Sequence, residues 1–413
     1  MKRVLLSTWG SRGDVEPIMA LAVQLRERGV EVRVCAPPDF DELAERAGVP
    51  LIPLGKSLRD MLHGDRPLTP ADAPRTAARL VDMQFDTVAP AAEGCDAVVA
   101  SGLMPAGVRT IAELHDAAYV LVALHPCPIP SPRHSPLARP GKPFPPGETD
   151  NRVLWNIDAE RVDALYRDPL NTHRASLGLP AVENVRDHVY TDRPWLAADP
   201  MLAPWPGSPD FDVAVTGAWI LPDKRPLPAD LAAFLNAGTP AVYVSMGSVR
   251  APEDVARVAI DAIRAHGHRV VVGRGWADLA PVDDRDDCFV VGEVSHQALF
   301  KRVAAVVHHG GAGTTTAAAA AGVSQVVVPQ IADQPYWARR VADLGIGAAH
   351  EGSAPTVESL TAALDVALSP ATRERAMDTA GRIRTDGAAV AAGMLIDVIK
   401  SRRAGYEMPA SRR

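Results

Sequence analysis

The chain opens with "LLSTWGSRGDVEPIMALAVQLRERGVEVRVCAP", an arrangement that leaves few folds open. The apolar run Val4–Thr8 reads as a strand buried on both faces. It runs into a glycine-bearing turn that holds Ser11, Arg12 and Asp14. A helix over residues 16–28 follows, with Ile18, Leu21, Ala22 and Leu25 on one face and Gly29 as its stop. The unit then repeats. Val30–Ala36 is a strand, Phe40 to Ala47 a helix, and "VPLIPL" a third, short strand. A helix around 74–93 leads to the strand Asp96–Ser101, and one around 105–115 leads to Tyr119–Leu124. Strands alternating with helices require a parallel, doubly wound sheet, because parallel neighbours need a crossover connection.

The alternation breaks at "HPCPIPSPRHSPLARPGKPFPPGE", with nine prolines in 24 residues. Such a segment is neither helix nor central strand. Helical periodicity resumes at once in "RVLWNIDAERVDALY", so the segment reads as a long loop of the first domain. From "AVYVSMGS" the strand–helix pattern returns, through "RVVVG", "CFVVG", "AAVVHH" and "SQVVVP", and ends in helices. At 413 residues the chain exceeds what one core usually fills. The expected division is a first domain over 1–205, a Pro- and Gly-rich linker over 206–240 and a second domain over 241–385. A C-terminal helix and tail over 386–413 would cross back to the first domain. The fold class is α/β, with two Rossmann-like domains facing across a cleft. Open α/β sheets bind ligands beyond the carboxyl ends of their strands.

Composition removes several function classes. A formal net charge of −7 disfavours a nucleic-acid partner. The four cysteines, Cys35, Cys95, Cys127 and Cys288, form no CxxC pair, so no zinc site or disulfide framework is expected. No apolar run approaches membrane-spanning length, and "MKRVLLSTWG" reads as the first strand rather than a signal peptide. A cytoplasmic protein is expected.

The chemistry concentrates in "HHGGAGTTTAAAAAG". Gly310, Gly311 and Gly313 let backbone N–H groups approach an anion, and Thr314 to Thr316 open a helix whose positive end points at it. His309, at the strand end, can donate a hydrogen bond to a phosphate oxygen. A tight strand–helix turn needs small residues too, so the motif alone leaves both readings open. It lacks the lysine of a P-loop and the G-x-G-x-x-G of a dinucleotide site, which disfavours ATP hydrolysis and nicotinamide or flavin binding.

Together, "GSRGDVEP", "HHGGAGTTTAAAAAG" and "ADQPYWARRVADLGIG" resemble the nucleotide-sugar-dependent glycosyltransferases of GT-B fold. The nearest pattern is the actinobacterial antibiotic type, especially the glycopeptide one; sterol glucosyltransferases carry similar motifs. The resemblance implies an inverting enzyme with no metal and no cofactor. Its partners would be a nucleotide-sugar donor, dTDP- or UDP-linked, and a small-molecule aglycone acceptor. Carried over, Asp14 is the catalytic base. Ser11, Arg12, Ser245, Ser248, His309, Gly311, Gly313 and Thr314 meet the donor diphosphate. The backbone of Val294 reads the nucleobase and Trp276 walls it. Asp333 and Gln334 hold the sugar hydroxyls.

Two departures carry information. Many relatives have histidine where this chain has Asp14, and a carboxylate with a reference pKa of about 4 is a weak base unless burial raises it or the acceptor is itself acidic. Several relatives carry a glutamate for the ribose hydroxyls where this chain has Ala317, which points to a deoxyribose and hence a dTDP-sugar.

The remaining candidates also have simpler roles open to them. Asp14 also suits a helix N-terminus as a cap. His125 ends a strand and is assigned to the acceptor side, against a loop-anchoring hydrogen bond. His115 and His134 are further acid–base candidates. Asp284 and Asp286 in "VDDRDD" read as a solvated turn, Trp195 and Trp205 as packing residues, and Arg339 and Arg340 as a solvated helix face. The loops 55–75 and 125–150 would select the acceptor. Rival readings are a sterol or lipid glucosyltransferase, a nucleotide-sugar epimerase of the same architecture, and a non-catalytic partner of another transferase.

Overall fold

The computed structural model describes residues 1–63, 69–139, 141–248, 254–276, 278–283 and 285–403. Asp284, part of the 55–75 loop and the end of the C-terminal tail lie outside the described residues. The chain divides into two compact units. The first comprises Met1–Pro200, Pro204–Leu221 and the segment from Thr385; the second comprises Met201–Ala203 and Pro222–Arg384.

The first unit is built on a seven-stranded, wholly parallel sheet. Its strands are β1 (Arg3–Trp9), β2 (Glu31–Ala36), β3 (Leu51–Pro53), β4 (Ala97–Gly102), β5 (Ala118–Ala123), β6 (Trp195–Leu196) and β7 (Ala214–Val215). The order is β3-β2-β1-β4-β5-β6-β7, so it reverses between β1 and β4. Central strands are buried on both faces, as their unbroken apolar runs require: Val4, Leu5, Leu6, Val98 and Val99 are fully buried. Trp195 is buried in β6, in keeping with a packing role.

The helix after β1 spans Arg12–Glu27 and starts four residues earlier than the apolar periodicity indicated. Ser11 is its N-cap, and the Asp14 carboxylate accepts a hydrogen bond from the Ser11 N–H at 2.9 Å. That contact satisfies a helix-end donor, so the turn can begin ahead of Pro17. The helix Gly387–Arg403 packs against it within the same unit, and Arg28 reaches the Ala389 carbonyl at 3.5 Å. The expected helix around 74–93 is three segments, Ala73–Met83, a π-helical turn Gln84–Val88 and Ala89–Ala92. Pro90 lacks the N–H that a continuous α-helix needs there.

The proline-rich loop is pinned along the helix Asn151–Ser176. The indole of Trp155 donates to the carbonyls of Ser131 and His134 at 3.0 and 2.9 Å. Arg139 forks onto buried Asp158, and Arg161 donates to the carbonyls of Lys142 and Pro143 while lying over the Phe144 ring. A chain with so few N–H groups is thus held through its carbonyls. His134 stands edge-on to Trp155 and Trp205, which makes it an anchor of this loop.

The second unit has a six-stranded parallel sheet: β8 (Ala241–Ser245), β9 (Arg269–Gly273), β10 (Cys288–Val291), β11 (Ala305–His308), β12 (Ser324–Val327) and β13 (Gly347–Ala349). Its order, β10-β9-β8-β11-β12-β13, reverses between β8 and β11. Helices Val255–Ala265 and Val357–Leu368 cover one face. Leu299, Phe300, Leu231 and the helix Ala312–Ala321 cover the other. The stretch 206–240, read as a Pro- and Gly-rich linker, holds β7 and the helix Ala229–Asn236. Strands of two residues carry no periodicity to detect.

Trp155→Phe is expected to free the proline-rich loop. Losing a donor shared by two carbonyls costs about 1–3 kcal/mol. Limited proteolysis should gain cleavage within 131–148 and the melting temperature should fall; an unchanged digest would assign the anchoring to the remaining contacts, among them Arg139, Arg161 and the Asn151 amide on the Pro132 carbonyl.

Candidate functional site

Doubly wound sheets leave a crevice where their strand order reverses. In the second unit that point lies between β8 and β11, where Ser245 pairs with His308. Three loops converge there, and glycine is what lets them meet. The His309 ring is packed between two of them: a Cβ on Gly247 would lie 2.6 Å from its Cε1, and one on Gly311 2.5 Å from its Nε2. A Cβ on Gly275 would strike the Gly247 carbonyl at 2.4 Å, the same carbonyl that accepts the Trp276 N–H at 2.9 Å. Gly310, at φ +90°, backs onto Val327 and Gln334. The structure therefore gathers the Ser245–Ser248 loop, the Trp276 backbone, His309, Gly311 and Gln334 at one edge.

The helix Ala312–Ala321 points its first turn at the same place. Its N-cap is Gly311, which brings no side-chain oxygen, so the N–H groups around Gly313 and Thr314 have no side-chain cap. They form a positively polarised end suited to an anion. The Ser245 hydroxyl accepts from the Gly247 N–H at 3.2 Å.

Both histidines of the "HH" pair are held neutral. Burial pushes His309 down to about 4, while the nearby Asp333 carboxylate pulls the other way. Its Nδ1 is buried without a hydrogen-bond partner among the described residues. His308 is fully buried, and burial pushes it down to about 3. Near neutral pH the His309 ring at this edge is therefore a neutral imidazole, able to donate from one nitrogen.

Asp333 stands at the N-cap position of the helix Gln334–Asp343, but its carboxylate accepts from the buried Trp337 indole at 2.7 Å rather than from the helix-end N–H groups. The Gln334 side-chain oxygen accepts from the N–H groups of Gln330 and Ile331 at 2.7 and 3.0 Å. That bracket holds a loop in which Ala332 adopts φ +54°, a costly conformation for a residue with a Cβ. Val294 lies after β10, in the same unit. It packs, together with half-buried Ala317, against the apolar cluster of Leu299 and Phe300.

In the first unit the reversal lies between β1 and β4, where Trp9 pairs with Gly102. Asp14 follows β1, half-buried, with Gly10 so close that a Cβ would meet its carboxylate at 2.2 Å. Arg12 bonds Glu16 at 2.7 Å, a surface pair. His125 follows β5, one strand beyond β4 on the same edge.

Sequence reasoning missed four residues that organise these loops: His308, Gln325, Trp337 and Arg340. Trp337 stands four residues after Asp333, one helical turn, and that spacing was a readable signal. Arg340 is not a solvated residue. It donates to the carbonyls of Leu202 and Met201 at 2.9 and 3.0 Å, because the segment Met201–Ala203 packs on the second unit. Arg339 is exposed, as read. Among the described residues no cluster of three or more His, Cys, Asp or Glu is placed to hold a metal ion, and no helix is long and apolar enough to cross a membrane.

Comparison with known proteins matches both units. Residues 4–113 fit the glycosyltransferase family 28 N-terminal domain, and residues 261–391 the erythromycin biosynthesis protein CIII-like C-terminal domain. The chain is 55% identical over 411 residues to glycosyltransferase GtfE of Amycolatopsis orientalis, covering 99% of each. It is 52% identical over 399 residues to the vancomycin aglycone glucosyltransferase of that organism, covering 96% of this chain and 98% of the relative. Its fold is similar, at a TM-score of 0.65 and 20% identity, to Streptomyces sp. SF2575 glycosyltransferase SsfS6 complexed with thymidine diphosphate, covering 96% and 100% of the two chains.

The depressed histidines make stability depend on pH. An unfolded histidine titrates near 6.5, so below that value the unfolded chain binds more protons than the folded one and stability falls with pH. For His308 the loss amounts to about 2 kcal/mol at pH 5. In His308→Asn, thermal melting should lose less stability between pH 7 and pH 5 than in the native chain; equal losses would show that His308 is not held neutral.

Proposed function

The chain belongs to the antibiotic-type glycosyltransferases, and on that premise we propose that it moves a sugar from a nucleoside-diphosphate sugar to a hydroxyl of a glycopeptide aglycone, with inversion. The observation that carries this reading is the uncapped helix end beside His309 at the β8/β11 reversal. It supplies what a leaving diphosphate needs: several N–H donors aimed at one place in a setting prepared before the reaction. The vancomycin aglycone glucosyltransferase, 52% identical, supports the acceptor class.

In this mechanism Asp14 takes the proton of the acceptor hydroxyl as its oxygen attacks the anomeric carbon, and the bond from that carbon to the diphosphate oxygen breaks. The diphosphate leaves onto His309 and the N–H groups of Gly311, Gly313 and Thr314, with Ser245 and Ser248 beside them; Ser11 and Arg12 are assigned to the diphosphate by their motif. Arg12 exchanges Glu16 for phosphate, a change of partner that costs little because an exposed pair is worth about 0–1 kcal/mol. Asp333 and the Gln334 amide N–H groups orient the sugar, since the Gln334 oxygen is already committed to Gln330 and Ile331. These donors meet the diphosphate charge in the proposed chemistry without a metal. Val294 presents its backbone to the base, Trp276 walls it, and His125 serves the acceptor. All four cysteines are free thiols, in keeping with the cytoplasm.

Asp14→Asn keeps the shape of the side chain and removes the proton acceptor. Donor affinity should be retained and kcat should fall by about 100-fold or more. Near-native kcat with an alcohol acceptor would remove Asp14 from the base role. Mass spectrometry of the products decides among the rivals: acceptor-independent release of a new nucleotide sugar would mark an epimerase, and transfer to a sterol but not to a peptide aglycone would mark the lipid branch.

Ala317 bears on the donor. Its methyl offers no partner to a 2′-hydroxyl, and an unpaired buried hydroxyl costs about 1–3 kcal/mol. We expect dTDP-glucose to be used about tenfold better than UDP-glucose in kcat/KM. Ala317→Glu, which adds an acceptor for ribose, should shift the preference toward UDP. A native preference for UDP, or no shift in the variant, would strip Ala317 of this role.

A further inference from the structure

A buried chain of hydrogen bonds lies directly behind the helix end. The Gly310 N–H donates to His308 Nδ1 at 3.1 Å. His308 Nε2 pairs with Gln325 Oε1 at 2.9 Å, and the Gln325 amide nitrogen donates to the Thr315 carbonyl at 3.4 Å. His308, Gln325 and Thr315 are each fully buried. An Nδ1 that accepts leaves the ring proton on Nε2, where the Gln325 oxygen receives it. The chain thus runs in one direction, from the glycine turn through two strands and into the first turn of the helix.

Sheet register makes this possible. β11 and β12 pair in parallel with Val306 opposite Gln325, and His308, two residues on, shares the face of Val306. His309, on the alternate face, packs between Gly247 and Gly311. The Gly310 N–H is turned inward while the N–H groups after Gly311 stay uncapped.

We propose that His308 and Gln325 are positioning residues that set which N–H groups the glycine turn presents to the donor diphosphate. By taking the Gly310 N–H inward, His308 fixes the peptide that carries His309 and Gly311. By bridging to Thr315, Gln325 ties that peptide to the helix whose end faces the anion. The inference rests on the proposed diphosphate role of the cradle.

Two isosteric variants divide the histidine's functions. His308→Asn places an amide oxygen where Nδ1 stood and keeps an acceptor for Gly310. His308→Gln places its amide where Nε2 stood and leaves the Gly310 N–H unpaired. Calorimetry with dTDP and with thymidine, which lacks phosphate, separates positioning from general damage. His308→Gln should weaken dTDP about tenfold, the scale of one lost hydrogen bond, with thymidine unchanged. His308→Asn, which keeps the Gly310 acceptor but loses the link to Gln325, should weaken dTDP by only about threefold, less than His308→Gln. A structural role alone would weaken both ligands together and would not distinguish the variants, and that result overturns the proposal.

His309→Ala, measured in parallel, tests the underlying reading. If it loses dTDP affinity while His308→Gln does not, the relay is wrong and the diphosphate site stands; if neither variant moves, both are wrong. Should His308→Gln not fold, ¹⁵N-histidine NMR of the native protein decides. A proton on Nε2 with Nδ1 accepting supports the relay, and the opposite tautomer overturns it.

Discussion

The structure depends on one topological constraint, the reversal of strand order at the middle of each parallel sheet. All strands of a sheet point one way, so every carboxyl end lies on one edge. Right-handed crossovers on either side of the reversal carry the chain to opposite faces, and adjacent loops part to leave a crevice. In the second unit the loops following β8, β9 and β11 then fold back over it. They come so close that Gly247, Gly275, Gly310 and Gly311 have no room for a Cβ, with contacts of 2.4 to 2.6 Å at each. The glycines are a consequence of the packing, and on the proposed reading the same geometry serves anion binding.

This explains what could be read from the chain. The long strands are apolar runs buried on both faces, and their locations, with the glycine turn before Ala312, follow from local pattern. Short strands at or next to a sheet edge, such as β6, β7 and β13, are stabilised by neighbours far away in sequence, so nothing local marks them. The start of the helix at Arg12 rested on a side-chain contact from Asp14 that periodicity does not see. Arg340 looked like an ordinary surface arginine because its partners, Met201 and Leu202, are remote in sequence. His308 and Gln325 were hidden for the same reason, since their contact exists only once β11 and β12 are in register.

The adjacent histidines show how a two-residue strand period divides labour. His308 faces inward and is consumed by the fold; His309 faces the crevice. Burial lowers the basicity of each ring, and the proximity of His309 lowers His308 further. Neither carries charge near neutral pH. At this edge of the second unit His309 and the helix end are oriented dipoles rather than charges, an imidazole N–H and a set of uncapped backbone N–H groups.

On the proposed reading that choice has a kinetic meaning. The diphosphate gains negative charge on its bridging oxygen as the sugar bond breaks, and donors already aimed at that oxygen strengthen in proportion. A buried cation would also favour that moment, but it would bind the intact donor and the released diphosphate tightly as well. Interactions shared by ground state and transition state do not raise kcat. Neutral dipoles, set in place by the fold rather than by ligand charge, confine more of their stabilisation to the step in which charge develops. The rigidity they need comes from the strands behind them, where a buried histidine and glutamine hold the turn from within.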